Sequence, residues 1–212
     1  WRDQIRSVGR ISILGQFLCS GQLLNNTSGD ETPYFLTAQH CVEDATEAPT
    51  VVAYWNYEAP FCGALTGGSL SQNQSGSTLV ASSPWQFGSD FALLLLEDAP
   101  DPSFGVHFAG WDATGATPGG AVGIHHPAGD EKSISFDEDP LRAVNYYGRG
   151  NHQWRVDAWD LGTTEGGSSG SCIFEPSSGR CVGTLTTGTA SCSLPDGYDI
   201  YGRFDVHFDG TA

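Results

Sequence analysis

Apolar residues along this chain come in short bursts rather than in long or helical repeats. Runs rich in β-branched and aromatic residues fall at 10–18, 34–37, 51–55, 91–96, 121–125, 153–159, 172–174, 181–185 and 200–208. Glycine, proline, asparagine and serine bound most of them. Runs of this length between turn signals predict strands of a sandwich or barrel. Helical periodicity is almost absent, and one short helix is expected at 41–44. The polar stretch 69–77 and the stretch 137–140 read as loops. The expected class is all-β. Turn signals crowd the middle of the chain at Pro100, Pro102, Gly105, Gly110, Gly115, Pro118, Gly119 and Gly120. They divide it into two modules, 1–105 and 106–212. A cleft between two such modules shelters a ligand well.

Composition narrows the picture. A chain of 212 residues can bury a sizeable core. No apolar run approaches the roughly 20 residues that span a bilayer. With 25 acidic against 9 basic residues the net charge is -16. Such a surface repels nucleic acid and anionic membranes, and attracts cationic peptides. The 6 cysteines show no CxxC spacing, which disfavours zinc and favours disulfides in an oxidising compartment. His125 and His126 are adjacent; in a strand they point to opposite faces and do not readily chelate one ion. No metal or cofactor is expected. The start, Trp1-Arg2-Asp3, is not a signal peptide, so a secreted form is expected to have lost its leader.

Three motifs carry candidate chemistry. Gly166-Gly167-Ser168-Ser169-Gly170-Ser171 surrounds serines with glycines, which let backbone amides approach a substrate carbonyl. Thr37-Ala38-Gln39-His40-Cys41 places a histidine at the end of an apolar run. Asp90 opens the run Phe91-Ala92-Leu93-Leu94. A serine hydroxyl needs an adjacent base, imidazole is suited to that task, and a buried carboxylate fixes its tautomer. The chain order His, Asp, Ser is that of chymotrypsin-type proteases.

The match goes further. Cys19-Ser20-Gly21-Gln22-Leu23-Leu24-Asn25-Asn26, Tyr34-Phe35-Leu36-Thr37-Ala38-Gln39-His40-Cys41 and Tyr54-Trp55-Asn56-Tyr57 resemble the bacterial lysyl endopeptidases. So do Ser75-Gly76-Ser77-Thr78, Ala109-Gly110-Trp111-Asp112, Ile124-His125-His126-Pro127, Thr164-Glu165-Gly166-Gly167-Ser168-Ser169 and Tyr201-Gly202-Arg203-Phe204. The resemblance runs from about Arg2 to Phe208. It implies a chymotrypsin-like fold of two six-stranded antiparallel β-barrels with the site between them. It also implies His40 as general base, Asp90 as its orienting partner and Ser169 as nucleophile. The amides of Gly167 and Ser169 would form the oxyanion hole. Ser168 stands where trypsin carries the aspartate that receives a new N-terminal amine, so a cleaved leader is the expected route to activity.

Specificity for lysine requires a buried counter-charge. Thr163 stands where trypsin has its pocket aspartate. The family resemblance places the charge instead at Asp199, with Glu165 as the competing acid. Tyr146 and Thr186 stand for a tryptophan and a histidine that line the family's cleft, and Thr187 for a glycine, where a side chain would narrow the pocket. By resemblance Cys19 pairs with Cys41. Cys172 and Cys181 flank a hairpin turn, depart from the family pattern, and can pair across strands. Cys62 and Cys192 match cysteines that the family bonds to an N-terminal segment; either they bond each other or a piece of the mature protein is absent here. Sequons at Asn25 and Asn26 are discounted for a bacterial protein.

The expected function is a secreted, monomeric serine endopeptidase that acts on proteins and peptides with lysine before the scissile bond. The alternatives are trypsin-like Lys/Arg or otherwise altered specificity, including glutamyl, and an inactive homologue used as a binding module.

Overall fold

The computed structural model describes residues 1–61, 64, 66–86, 88–148 and 150–209. A short helix α1 (Arg2–Ser7) leads into β1 (Val8–Ile13), β2 (Phe17–Leu24), β3 (Tyr34–Thr37), β4 (Val52–Tyr54), β5 (Asn73–Ser75), β6 (Ser77–Ser83) and β7 (Phe91–Leu96). These form one antiparallel sheet in the order β5-β4-β1-β2-β3-β7-β6. The second half contributes β8 (Ala121–His125), β9 (Ser133–Asp137), β10 (Arg142–Val144), β11 (Gln153–Val156), β12 (Cys172–Phe174), β13 (Cys181–Gly188) and β14 (Asp199–Arg203), followed by α2 (Phe204–Asp209). Their order is β10-β11-β14-β13-β12-β8-β9. No helix among the described residues is long and apolar enough to cross a membrane.

The all-β expectation holds, with seven strands in each sheet instead of six. The sheets each carry a three-residue edge strand, β5 and β10, too short and polar to register as an apolar run. β5 lies inside the stretch 69–77 that reads as a loop. The run 10–18 is a hairpin: Leu14 and Gly15 both take positive φ, and Gln16 donates to the Ile13 carbonyl. A leucine in place of the usual asparagine hides that turn from a sequence reading. The run 200–208 turns helical at Phe204, where Phe204 and His207, three apart, face inward together. Residues 41–44 form turns rather than a helix.

Burial explains the layering. Ile11, Leu23, Phe35, Trp55 and Leu94 fill the first sheet. Trp154, Val156, Ile173, Leu185 and Tyr201 fill the second. Between them Val8, Leu36, Phe91, Ile124, Phe174 and Phe204 form a shared seam. The seam fixes one half against the other, as a site drawn from both halves needs.

Candidate active site

Strand pairing brings the first two residues together. β3 pairs with β7 in the register Thr37↔Ala92. The chain leaving β3 therefore runs beside the chain entering β7, and His40 meets Asp90. His40 Nδ1 lies 2.8 Å from Asp90 Oδ2, and the His40 amide donates to Asp90 Oδ1 at 3.1 Å. An ionised carboxylate only accepts, so Nδ1 carries the proton and Nε2 is left as a base. Asp90 is 1% exposed and sits at φ +59, a conformation uncommon outside glycine, asparagine and aspartate. Its neighbour Ser89 anchors it: Ser89 Oγ lies 2.8 Å from His207 Nδ1, and His207 Nε2 lies 2.9 Å from Thr184 Oγ1. Burial pushes the His207 pKa down to about 3, so the ring bridges α2, β13 and Ser89 as a neutral group. The disulfide Cys19–Cys41 ties β2 to the turn that carries His40.

Ser169 lines the same cleft as His40, together with Leu18, Cys19 and Cys41. Its loop is clamped by β2. The Ser20 amide donates to the Ser169 carbonyl at 2.8 Å, and Ser20 Oγ donates to the Gly167 carbonyl at 2.9 Å. The Ala128 amide takes the Gly166 carbonyl, and the Ser171 amide takes that of Ser168. Four consecutive carbonyls are thus occupied. Among the described residues the amides of Gly167 and Ser169 have no acceptor. Gly167 takes φ +94 and Gly170 φ +80, with neighbouring backbone packed against both, so no side chain fits there. Ser168, by contrast, is fully buried and bonded on both sides, which leaves Ser169 as the accessible hydroxyl.

Asp199 opens β14 opposite Gly188 of β13 and is 1% exposed. A Cβ at Gly188 would strike its Oδ1. Its Oδ2 accepts from Trp159 Nε1 at 2.7 Å and from Thr164 Oγ1 at 2.8 Å. Burial pushes its pKa up to about 6 against these two hydrogen bonds. No cationic side chain pairs with it among the described residues. Thr186 is buried on β13 and Thr187 faces Ile200 across a bulge beside Asp199. Tyr146 meets Tyr198, the residue before Asp199, through hydroxyls 3.2 Å apart.

The structure does not bring every candidate here. Thr163 and Glu165 line another cavity of about 460 Å³ with Ser135, Lys132 and Cys192. Glu165 accepts there from the Cys192 amide at 2.7 Å. Thr164, not Thr163, supports Asp199. Cys172 and Cys181 are disulfide-bonded. Cys192 is exposed and forms no disulfide with another described residue, while Cys62, its candidate partner, lies outside the described residues. One group has metal-ligand spacing among the described residues, Cys19, His40 and Cys41, and its sulfurs are joined to each other.

A family model for the C-terminal domain of lysyl endopeptidase matches residues 1–202. The chain belongs to the lysyl endopeptidase family. It is 34% identical over 187 residues to a lysyl endopeptidase of Pseudomonas aeruginosa, covering 85% of this chain and 39% of that protein. The chain therefore spans about two fifths of the length of that relative. Among solved structures, the fold matches a thermostable serine protease AL20 from an extremophilic microorganism (TM-score 0.69, 16% identity, 99% of each chain). It also matches the protease Anisep of Arthrobacter nicotinovorans (TM-score 0.68, 16% identity, 96% of this chain and 93% of the other). These likenesses establish a chymotrypsin-like fold.

Trp159, Thr164, Ser20 and His207 escape a reading of the sequence. Each acts through a contact between distant segments, and none stands in a motif whose chemistry names its partner.

Proposed function

We propose that this family member is a secreted serine endopeptidase that cleaves proteins and peptides after lysine, as a monomer and without a cofactor. The two halves, 1–105 and 106–212, would supply base and nucleophile respectively. Ser169 Oγ attacks the scissile carbonyl as His40 Nε2 takes its proton. Asp90 stabilises the resulting imidazolium. The Gly167 and Ser169 amides receive the developing oxyanion. His40 then protonates the leaving amine, and water repeats the sequence on the acyl-enzyme. Ser169 and His40 line one cleft, and the hydrogen bond between Ser169 Oγ and His40 Nε2 is expected to form when substrate is bound. The two disulfides fit an oxidising, extracellular setting.

The observation that carries the lysine assignment is Asp199, a buried carboxylate supported by neutral donors and lacking a cation. An ammonium entering beside it supplies the missing charge. The same carboxylate opposes a glutamate side chain. Digestion of a denatured protein, with new C-termini read by mass spectrometry, tests the assignment: lysine is expected, and glutamate or leucine sinks it. Labelling by a fluorophosphonate, lost in Ser169→Ala, tests the nucleophile. An unlabelled wild type points instead to an inactive binding module.

A further inference from the structure

Ser168 and His125 form part of a hydrogen-bonded chain whose direction can be derived. The Ser168 hydroxyl lies 2.9 Å from His125 Nδ1, and it also accepts from the Glu165 amide at 3.1 Å. On the far side of the ring, Nε2 lies 3.2 Å from Ser135 Oγ. The Ser135 hydroxyl donates to the Thr163 carbonyl at 2.9 Å. A hydroxyl has one proton, and Ser135 commits it to a carbonyl that only accepts. Nε2 must therefore carry the ring proton and donate to Ser135. Nδ1 of the neutral ring then accepts, and Ser168 is the donor. His125 is fully buried, and burial pushes its pKa down to about 4, consistent with the neutral form.

Both ends of this chain, Thr163 and Glu165, lie on the segment that enters Gly166-Gly167-Ser168-Ser169. The glycines themselves resist rotation of their peptide planes little, so hydrogen bonds must hold them; the Ala128 amide and the Ser20 hydroxyl hold the Gly166 and Gly167 carbonyls, and the Ser168 side chain adds a further anchor. Such a rotation would replace a donating amide with a carbonyl at the oxyanion position. We propose that His125 is a positioning residue that, by accepting from Ser168, locks the loop in the form that presents the Gly167 and Ser169 amides to an oxyanion. In trypsin-like zymogens the residue at this place is held by a newly freed N-terminal amine; here its partner is an internal imidazole. The oxyanion hole then forms without a free amine as trigger. The inference rests on the proposed serine peptidase chemistry.

The test uses Ser168→Ala, His125→Leu and His125→Asn. Only the asparagine retains an acceptor near the position of Nδ1. Ser168→Ala and His125→Leu are each expected to lower kcat on a lysyl peptide amide by about 10- to 100-fold, up to the scale of a misplaced group and short of a fully lost oxyanion donor. KM should stay within about two-fold, because the loop is needed in the transition state rather than for docking. Affinity for a lysyl peptide aldehyde, whose hemiacetal oxygen occupies the hole, should fall by the same factor as kcat. His125→Asn should recover part of the loss, and the double variant Ser168→Ala/His125→Leu should be no worse than the poorer single. If folded Ser168→Ala retains kcat within about three-fold, the proposal is overturned, and this variant decides the matter should His125→Leu fail to fold. A loss confined to KM, or unchanged aldehyde affinity, overturns it equally. A wild type that neither labels with fluorophosphonate nor cleaves refutes the peptidase reading itself, a result distinguishable from the others.

Discussion

Each half of the molecule holds an aspartate buried to the same depth, and the two are treated differently. Asp90 and Asp199 are both 1% exposed. Asp90 accepts from the His40 amide and ring, so its partner can become a cation within the fold. Among the described residues Asp199 accepts from Trp159 and Thr164, both neutral. Burial then dominates, and its pKa rises to about 6. A buried charge without an internal cation is costly unless something supplies one. The contrast fits the proposed division between a carboxylate that completes a proton-transfer unit and one whose missing partner would come from the substrate.

The largest effect expected from breaking this contrast is in the first half. Asp90→Asn removes the acceptor that fixes Nδ1–H on His40, and an amide can hold the ring in the wrong tautomer. Activity should fall about 10⁴-fold on every substrate, whatever its side chain. Steady-state kinetics on matched lysine and leucine esters checks this. A loss seen with lysine alone would mean that Asp90 serves the pocket rather than the base.

Asp199→Asn should act the other way round. Removing one partner of a buried ion pair costs about 3–5 kcal/mol, so kcat/KM on lysine peptides should fall roughly 150- to 4,000-fold. Leucine esters should be little affected. If lysine cleavage survives unchanged, the counter-charge lies elsewhere. Glu165 is a poor substitute, since it lines a cavity away from Asp199 and already binds the Cys192 amide.

The same substitution should affect stability with a definite sign. The folded-state pKa of Asp199 is raised, so as pH rises the unfolded chain loses its proton first. Stability is therefore lost between about pH 4 and pH 6, and the loss persists above that range. The amide side chain of Asp199→Asn carries no such charge and still accepts from Trp159 and Thr164. Asp199→Asn should unfold less readily than wild type at pH 8, by about 3 kcal/mol, with the gain shrinking toward zero near pH 4. Urea denaturation at both pH values measures it. A gain at pH 4 equal to that at pH 8 would show that packing, not charge, is responsible.

How far these features were legible depends on whether they are local. Strands 34–37, 91–96, 121–125 and 172–174 follow directly from apolar runs bounded by turn residues, and the structure has them at those limits. The residues His40, Asp90, Ser169 and Asp199 stand in recognisable motifs. The support around them does not. Thr164 binds Asp199 across 35 positions, His207 reaches Ser89 across 118, and Ser20 clamps Gly167 across 147. Such contacts depend on which strands become neighbours, and no local pattern encodes that. His125 is instructive because strand alternation argues against a shared metal site but is silent on the hydroxyl that one ring meets.

The smallest effect sharpens the contrast from the pocket side. Thr187 faces Ile200 one register step from the Gly188↔Asp199 pair, on a bulge of β13. Its backbone stands one residue from the strand pair that carries the carboxylate the lysine ammonium is proposed to meet. A guanidinium is planar and wider than an ammonium, and it needs room for its fork of donors. Thr187→Gly should admit it better, raising kcat/KM for arginine relative to lysine by about five- to ten-fold, the lower part of the range expected for small steric changes in a pocket. Glycine within a strand also costs roughly 0.5–1 kcal/mol of stability, so the comparison must be a ratio on one enzyme preparation. If the ratio is unchanged, Thr187 does not shape the pocket, and the choice between lysine and arginine rests on the depth of Asp199 alone.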